Sequence, residues 1–572
     1  MRKKLLSIFL VLVMVLCLAP MTVFAENTPT SVATEAALRE ALGNGESVKL
    51  AANITLTSDL DITKKVSIDL NGYTIDGEPI YKNESYTVFE LTISDSKGGG
   101  QIVCPLYNTG FGDLIIENGI FSEQITGGKY GESTNFKISN GTFNKGVVAN
   151  GEGYIFDGTF KGDDTITLRD GSEITNYAVT ILGVGAGIKG GNFDCNVKIR
   201  GFDTGGSTLP GGIHGGTFNK IVDIIQQGCI YDGNFLGKVI FESIGTISGG
   251  TFSNAVTNTG TITGGTFSGD VIAASGPVIL PGSTVENQSI IFGGDFSGTV
   301  TNDSKGTISG GTFKNKVINN GTITGGTFKG TVTNNGTIKG GTFYGGITGT
   351  GTIDGLTVTY KNGSEDYAVQ VVQNGDSASE PISPKQKGYT FSGWYTDPEC
   401  SKAFDFETMP VTADMTLYAK WIERSDYTVE YDTAGGSTIE NKTDVNWTAK
   451  VTEIITPPTR DGYKLTGWKC GDVEVDENTT YADLAVEDTV MSVTLTAQWK
   501  ENAVPVTPDT GNDESPAGNV TDENFVVNET AVEVKSPKTG DSSMFLWMPF
   551  LIVSGSVATI AILALEKRKY FR

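Results

Sequence analysis

Histidine is almost missing from this 572-residue chain, His214 being the only one. Cysteine is scarce, six in all, with Cys17 inside an N-terminal apolar run. The other five, Cys104, Cys195, Cys229, Cys400 and Cys470, are odd in number and fit no metal-ligand spacing. They read as scattered, mostly packed thiols, with Cys195 and Cys229 the one pair worth testing for a disulfide. Cations are outnumbered, 42 Lys and Arg against 66 Asp and Glu, and between 100 and 355 the arginines are Arg169 and Arg200 alone. A formal charge of −24 repels nucleic acid and anionic headgroups, which excludes both as partners of the exposed surface. What the chain has in excess is glycine, 75 residues of it.

The two ends read as processing signals. Arg2, Lys3 and Lys4 precede an apolar run from Leu5 to Leu18, closed by Val23-Phe24-Ala25. This is the pattern of a secretory signal peptide, residues 1–25, cleaved between Ala25 and Glu26. Leu16 stands where lipidation at Cys17 would need a small residue, so no lipid anchor is expected. At the other end, 544–565 is uncharged and long enough to cross a bilayer as a helix. Lys567, Arg568, Lys569 and Arg572 follow it and hold the terminus inside. Ser536-Pro537-Lys538-Thr539-Gly540 stands just before the span. Motif, apolar span and basic tail together (536–572) resemble the sorting signal of sortase-anchored Gram-positive wall proteins, though Ser536 occupies a position that is usually Leu. The resemblance implies sortase as a partner, cleavage between Thr539 and Gly540, and transfer of Thr539 to a peptidoglycan precursor. Membrane contact would be limited to this segment before sorting. Thr507-Pro508-Asp509-Thr510-Gly511 is similar, but no apolar span follows it. Without residues 1–25, which carry three cations, and 541–572, with four cations against two acids, the charge falls from −24 to −29.

The glycines of the middle keep register with Thr and one aromatic. Gly-Thr-Ile-Thr-Gly-Gly-Thr-Phe occurs at 260–267 and 321–328, and Gly-Thr-Ile-Ser-Gly-Gly-Thr-Phe at 245–252 and 306–313. Phenylalanines in this frame fall at Phe143, Phe160, Phe193, Phe218, Phe235, Phe252, Phe267, Phe296, Phe313, Phe328 and Phe343. Most intervals are 15 or 17; those of 33 and 29 suggest two coils each, and 25 a coil with an insertion. Such a period marks a stacked repeat. Within it, Ile308, Phe313, Val317 and then Ile323, Phe328, Val332 are spaced five, four and six apart. Helical three-and-four spacing is absent and β-branched residues dominate. The expectation is an all-β fold: a parallel β-solenoid over 46–355, with three short strands per coil of 15–17 residues and coils about 4.8 Å apart. Asn319-Asn320 and Asn334-Asn335 would stack at one corner as amide ladders.

An open first coil needs a cover. Thr34 is a plausible N-cap for a helix carrying Ala37, Leu38, Ala41 and Leu42 on one face and ended by Gly43, within a cap region over 26–45. Strands follow at Val48, Ile54 and Val66. This beginning, with Asp69-Leu70-Asn71-Gly72-Tyr73-Thr74-Ile75, resembles bacterial surface proteins of the pectin-lyase-like β-helix group; the resemblance implies a right-handed coil.

From Val358 the composition turns to Trp, Tyr and Pro. Gly388-Tyr389-Thr390-Phe391-Ser392-Gly393-Trp394 is followed by Ala419-Lys420-Trp421, then Gly462-Tyr463-Lys464-Leu465-Thr466-Gly467-Trp468 by Ala497-Gln498-Trp499. These two copies, 356–423 and 424–500, resemble the B repeats of internalin-type Listeria–Bacteroides surface proteins, which implies small β-grasp-like domains. No amphipathic stretch of helix length interrupts either copy. Four tryptophans suggest a sugar platform, but modules this small need their aromatics in the core. Residues 501–535, rich in Pro, Thr, Asp, Glu and Asn, read as a disordered spacer.

β-Helices also carry polysaccharide lyases and glycosidases, which need paired carboxylates, or Ca²⁺ with a base. The best cluster is Asp163-Asp164 and Asp170 beside Arg169, better read as a solvated turn. The pattern therefore predicts no catalytic residue, no cofactor and no metal. It predicts a wall-anchored surface protein that presents its solenoid to extracellular glycans or host proteins. A passive spacer and a polysaccharide-degrading enzyme are the alternatives.

Overall fold

The computed structural model describes residues 28–503, apart from 83–89, 109–111, 128–134, 150–151, 163–164, 168–172, 183–185, 202–210, 281–282 and 455–456. Both processing signals, the span 544–565, the 501–535 spacer beyond 503, and Asp163, Asp164, Arg169 and Asp170 lie outside the described residues. No helix among the described residues is long and apolar enough to cross a membrane.

The chain is nearly all β, and its middle is a three-faced parallel solenoid. One coil runs Thr307–Ile308, Thr312–Phe313 and Val317–Asn319; the next runs Thr322–Ile323, Thr327–Phe328 and Val332–Asn334. Each strand pairs in parallel with its counterpart one coil on, Ile308 beside Ile323, Phe313 beside Phe328, Val317 beside Val332. The three faces are called here the Ile, Phe and Val sheets. The five, four, six spacing arises because each short strand turns only one or two apolar side chains inward. Those side chains are at most 1% exposed. The Phe rings form one stack from Phe121 to Phe343, centroids 4.5–5.1 Å apart and planes within 4–8°. Coil spacing matches the centroid distance of stacked rings, so backbone pairing and aromatic contact reinforce each other.

Glycine makes the corner between the Ile and Phe sheets. A Cβ on Gly325 would lie 2.4 Å from the Ser309 carbonyl of the coil below. Gly326 adopts φ 110°, which a side chain disfavours.

The long Phe intervals have a different cause from the expected one. Phe160 pairs directly with Phe193, and Phe267 with Phe296, so 33 and 29 residues are one coil each, not two. The surplus is an antiparallel hairpin in each case, Thr165–Thr167 with Glu173–Thr175 and Ser275–Leu280 with Ser283–Gln288. Neither surplus contains a Gly-Gly-Thr-Phe phrase, so neither can turn the corner or supply a ring. A hairpin satisfies its own backbone and leaves the stack unbroken. The 25-residue interval is one coil with an insertion, as expected, Phe193 pairing with Phe218.

The amide ladder forms at the end of the Val sheet. Asn302 Nδ2 donates to Asn319 Oδ1 at 2.7 Å and Asn319 Nδ2 to Asn334 Oδ1 at 2.8 Å, all three buried. Outside them Asn335 Nδ2 donates to Asn320 Oδ1 at 3.0 Å. The inner ladder breaks at Ala273, which lies between Asn258 and Asn302 and offers no amide to Asn302 Oδ1; Asn258 Oδ1 is also without a partner, because the preceding coil places Phe241 beside it. Ser289 fills the gap, its Oγ accepting from Asn258 Nδ2 at 2.7 Å. A serine fits there only because residue 273 is small. At the equivalent Gly306, a Cβ would sit 2.3 Å from Asn302 Oδ1. We expect Ala273→Asn and Ser289→Gly each to destabilise, and the double variant to recover a coupling of about 1–2 kcal/mol. A urea-denaturation cycle on the four proteins measures it, and strict additivity would refute the ladder account.

The N-terminal cover is the helix Glu35–Asn44. Thr34 Oγ1 accepts from the Ala37 amide, and Leu38, Ala41 and Leu42 are buried over the first coil. The helix ends at Gly45, φ 84°, and not at Gly43, which lies inside it. Gly45 can take the left-handed turn and its amide closes back on the Leu42 carbonyl. The helix is tied to the solenoid by Glu35, which accepts from Thr57, and by Arg39, which donates to the Asp59 carbonyl at 2.8 Å. Strands Val48–Leu50, Ile54–Leu56 and Val66–Asp69 follow as expected. Leu60–Ile62 and an initial strand Thr30–Val32, paired with Val48–Leu50, add to them.

At the far end the cover is the first of the two small modules. Its hairpin Leu356–Asn362 and Glu365–Val372 runs antiparallel against Gly341–Phe343, extending the Phe sheet. Gln370 Nε2 reaches Thr342 Oγ1 at 3.0 Å, and Gln373 Nε2 reaches the Lys339 and Asp354 carbonyls at 2.8 and 2.7 Å. In both modules the first strand lies parallel to the last, Leu356–Asn362 with Met415–Glu423 and Tyr427–Asp432 with Ser492–Glu501. The Gly-Tyr…Gly-Trp strand pairs antiparallel to the last strand through a bulge, at Phe391/Trp394 and at Leu465/Gly467. Trp394 and Trp468 are buried; Trp421 and Trp499 are half-buried and donate to Asn362 Oδ1 and the Thr433 carbonyl, each at 2.8 Å. Trp394 and Trp468 are thus in the cores as expected, whereas Trp499 packs against the edge of its core and Trp421 against Phe391. The described part of the second copy contains a short α-helix, Tyr481–Leu484, and a 3₁₀ helix, Val451–Ile454, both too brief for an amphipathic face. Gly388 packs so closely on Trp447 that a Cβ would meet the ring, and Lys387 Nζ donates to the Val486 carbonyl at 2.6 Å, so the modules abut directly.

Candidate functional site

The Gly-Gly corner that bends each coil also removes side chains from one edge of the rod. A groove of about 930 Å³ follows that edge from Asp232 to the first module. Its floor is the glycine column Gly250, Gly265, Gly294, Gly311, Gly326 and Gly341, and beside it runs Thr251, Thr266, Asp295, Thr312, Thr327 and Thr342. Strand alternation explains the second column, because each of these residues precedes an inward Phe and so points out. Gln370, Gln373, Asp376 and Ser379 of the module wall the end. The lining is polar, with Asp232, Asp295 and Asp376 against Lys339, whose ammonium is 3.3 Å from Asp354.

Along the described floor Asp232 and Asp295 stand too far apart to act as a hydrolytic pair. Asp232 stands beside the coil position of Asn234, and Asn234, Thr251, Thr266 and Asp295 are successive ladder partners. Three coils at the usual spacing put Asp232 and Asp295 about 14 Å apart, beyond the ~5–9.5 Å of a glycosidase pair. Among the described residues no three or more of His, Cys, Asp and Glu gather as a metal site. Arg200 Nε donates to Gln226 Oε1 at 2.9 Å.

A second surface lies outside the Ile sheet on the irregular coils. His214 stacks on Tyr231 with centroids 4.3 Å apart, and Lys189 Nζ lies 4.4 Å from the Tyr154 ring and 5.1 Å from that of Phe156. Partial burial, then the Lys189 charge, lower the His214 pKa, so the ring stays neutral at physiological pH. Of the described cysteines, Cys104, Cys195 and Cys229 are buried and Cys400 and Cys470 half-buried. Cys195 and Cys229 are buried and not joined by a disulfide, and burial pushes Cys104 up to about 12.

The groove was missed from the sequence because its wall and floor are more than a hundred residues apart at the extremes. The signal that could have found it is the paired glycine itself, recurring where an outward side chain would otherwise stand.

The folds just described define the class of the C-terminal modules. Residues 357–420 and 427–498 each match the Listeria-Bacteroides repeat domain. Among curated proteins, the chain is 35% identical over 158 residues to a provisionally named membrane protein of Evansella cellulosilytica, covering 27% of this chain and 23% of that one. It is 36% identical over 152 residues to a provisionally named Gly-rich membrane protein of the same organism, covering 26% and 17%. It is 35% identical over 144 residues to Internalin H of Listeria monocytogenes, covering 24% of each. The match thus spans about a quarter or less of each relative's length.

Proposed function

We propose that this chain is a wall-anchored surface protein whose solenoid binds an extended, neutral extracellular glycan along the Gly-Thr groove. The observation that carries this reading is the groove itself: open, polar, repeating coil by coil and walled by the first module. A hydroxyl ladder offers the same hydrogen bonds to each unit of a repeating polymer, so many weak contacts add along its length. The acidic lining and overall negative charge favour an uncharged chain over an acidic one. Relatives named as membrane proteins and an internalin fit display at the cell surface.

The test is a glycan array and a mucin-binding assay on residues 26–500, with Thr312→Tyr and Thr327→Tyr filling the groove. We expect neutral-glycan binding that falls at least about tenfold in the double variant, a loss of ~1.4 kcal/mol or more, with an unchanged unfolding midpoint. Binding to host proteins alone would move the partner, no binding at all would favour the spacer, and new reducing or unsaturated ends would reveal an enzyme.

Display rests on Ser536, Pro537, Lys538, Thr539 and Gly540 as the sortase motif, after removal of the signal at Ala25 and Glu26. Thr539→Ala is expected to shift the protein from the muramidase-released wall fraction to membrane and medium. Persistent covalent attachment to wall fragments would defeat the sortase reading.

A further inference from the structure

The inner column of the Val sheet that carries asparagines late in the solenoid begins differently. Ile62, Lys82 and Asn108 are successive register partners there. Lys82 is 0% exposed and Asn108 1%. An ammonium inside a rod of aliphatic ladders is costly and needs a reason. Lys82 Nζ lies 3.3 Å from Asn108 Oδ1, and Asn108 Nδ2 points to the Gly112 carbonyl at 3.5 Å, one residue before Asp113. Amine and carboxamide thus meet in a dry space, with the half-exposed Asp113 carboxylate near enough for its charge to act on the amine, held by strands whose register permits no slip.

We propose that the chain closes its own amide cross-link between Lys82 and Asn108, with Asp113 carrying the proton. The neutral amine attacks Asn108 Cγ, forming the Nζ–Cγ bond. Asp113 takes the proton shed by Nζ and delivers it to Nδ2. The Cγ–Nδ2 bond then breaks and ammonia leaves. No oxidant, cofactor or external reactant enters, and the balance is amine plus amide giving secondary amide plus ammonia. Desolvation lowers Lys82 to about 8, against a smaller opposing pull from Asp113, so a useful fraction of the amine is neutral at physiological pH. Register supplies the proximity that makes a slow bimolecular aminolysis intramolecular. The product staples neighbouring coils close to the N-terminal cover. It is independent of what the groove binds.

Intact-mass measurement of the folded secreted ectodomain tests it. The wild type should weigh one ammonia less than its sequence, and tandem spectra should show a branched peptide joining Lys82 to Asn108. Asp113→Asn, at a half-exposed position, should fold with the full sequence mass, as should Lys82→Arg if it folds. Asn108→Asp should instead lose one water relative to its own sequence. A folded wild type of full mass, with the Lys82 and Asn108 peptides recovered separately, would overturn the proposal and leave a buried ion pair.

Discussion

Ending the chain at residue 355 should make the solenoid self-associate and unfold from its last coil. Gly341–Phe343 then loses its partner strand around Val369, Gln370 and Val371, and a row of amides and carbonyls stands open on a sheet many strands long. Such an edge templates pairing with a second copy. Phe343, 1% exposed, also loses the cover of that strand. The cost to the last coils is on the order of a few kcal/mol, from apolar surface returned to water. Light scattering coupled to gel filtration should show dimers and higher species for 26–355 and a single monomer for 26–500. A milder version is Gln370→Ala with Gln373→Ala, which removes the side-chain ties to Thr342, Ser379, Lys339 and Asp354 while keeping the strands. If 26–355 stays monodisperse with an unchanged melting curve, the module is not the cover.

Phe313→Ala should cost about 3–5 kcal/mol, the range for removing a large buried aromatic. The ring is 1% exposed and stacked on Phe296 at 4.8 Å and Phe328 at 4.7 Å, so two contacts vanish and a void opens in a core one ring wide. Phe313→Leu should cost less, since it refills part of the volume but loses the ~0.5–1.5 kcal/mol of each ring pair. Because each coil touches only its neighbours, the damage should be local. Hydrogen exchange should rise over roughly residues 296–328 while the ladders near Phe160 stay protected. Uniform exchange along the rod, or a loss below about 1 kcal/mol, would refute the one-dimensional picture.

Both predictions depend on features of unequal legibility. Phe313 was legible as an inward residue because its neighbours in sequence are glycines and threonines that cannot compete for the core. The Asn319–Asn334 ladder was legible for the same reason, a register repeated without error. The hairpins at 165–175 and 275–288 were not, because an interval of about twice the period fits two coils as well as one coil with an excursion. Gly43 misled because it is the first glycine after the apolar face, whereas Gly45 is the one whose amide can reach back to Leu42. The Asp163–Asp170 cluster lies outside the described residues.

The sequence by itself determined the coil: which side chains point inward, how many strands make a turn, and where that regime gives way to two copies of a small module. Local periodicity suffices for this, since strand alternation and glycine corners are properties of adjacent residues. Only the tertiary structure decided that the first module is the solenoid's cover, that a groove follows the glycine edge, and that Lys82 meets Asn108 in a dry core. Each of these joins segments by strand register, and register is set by the burial of whole faces, which no single repeat contains.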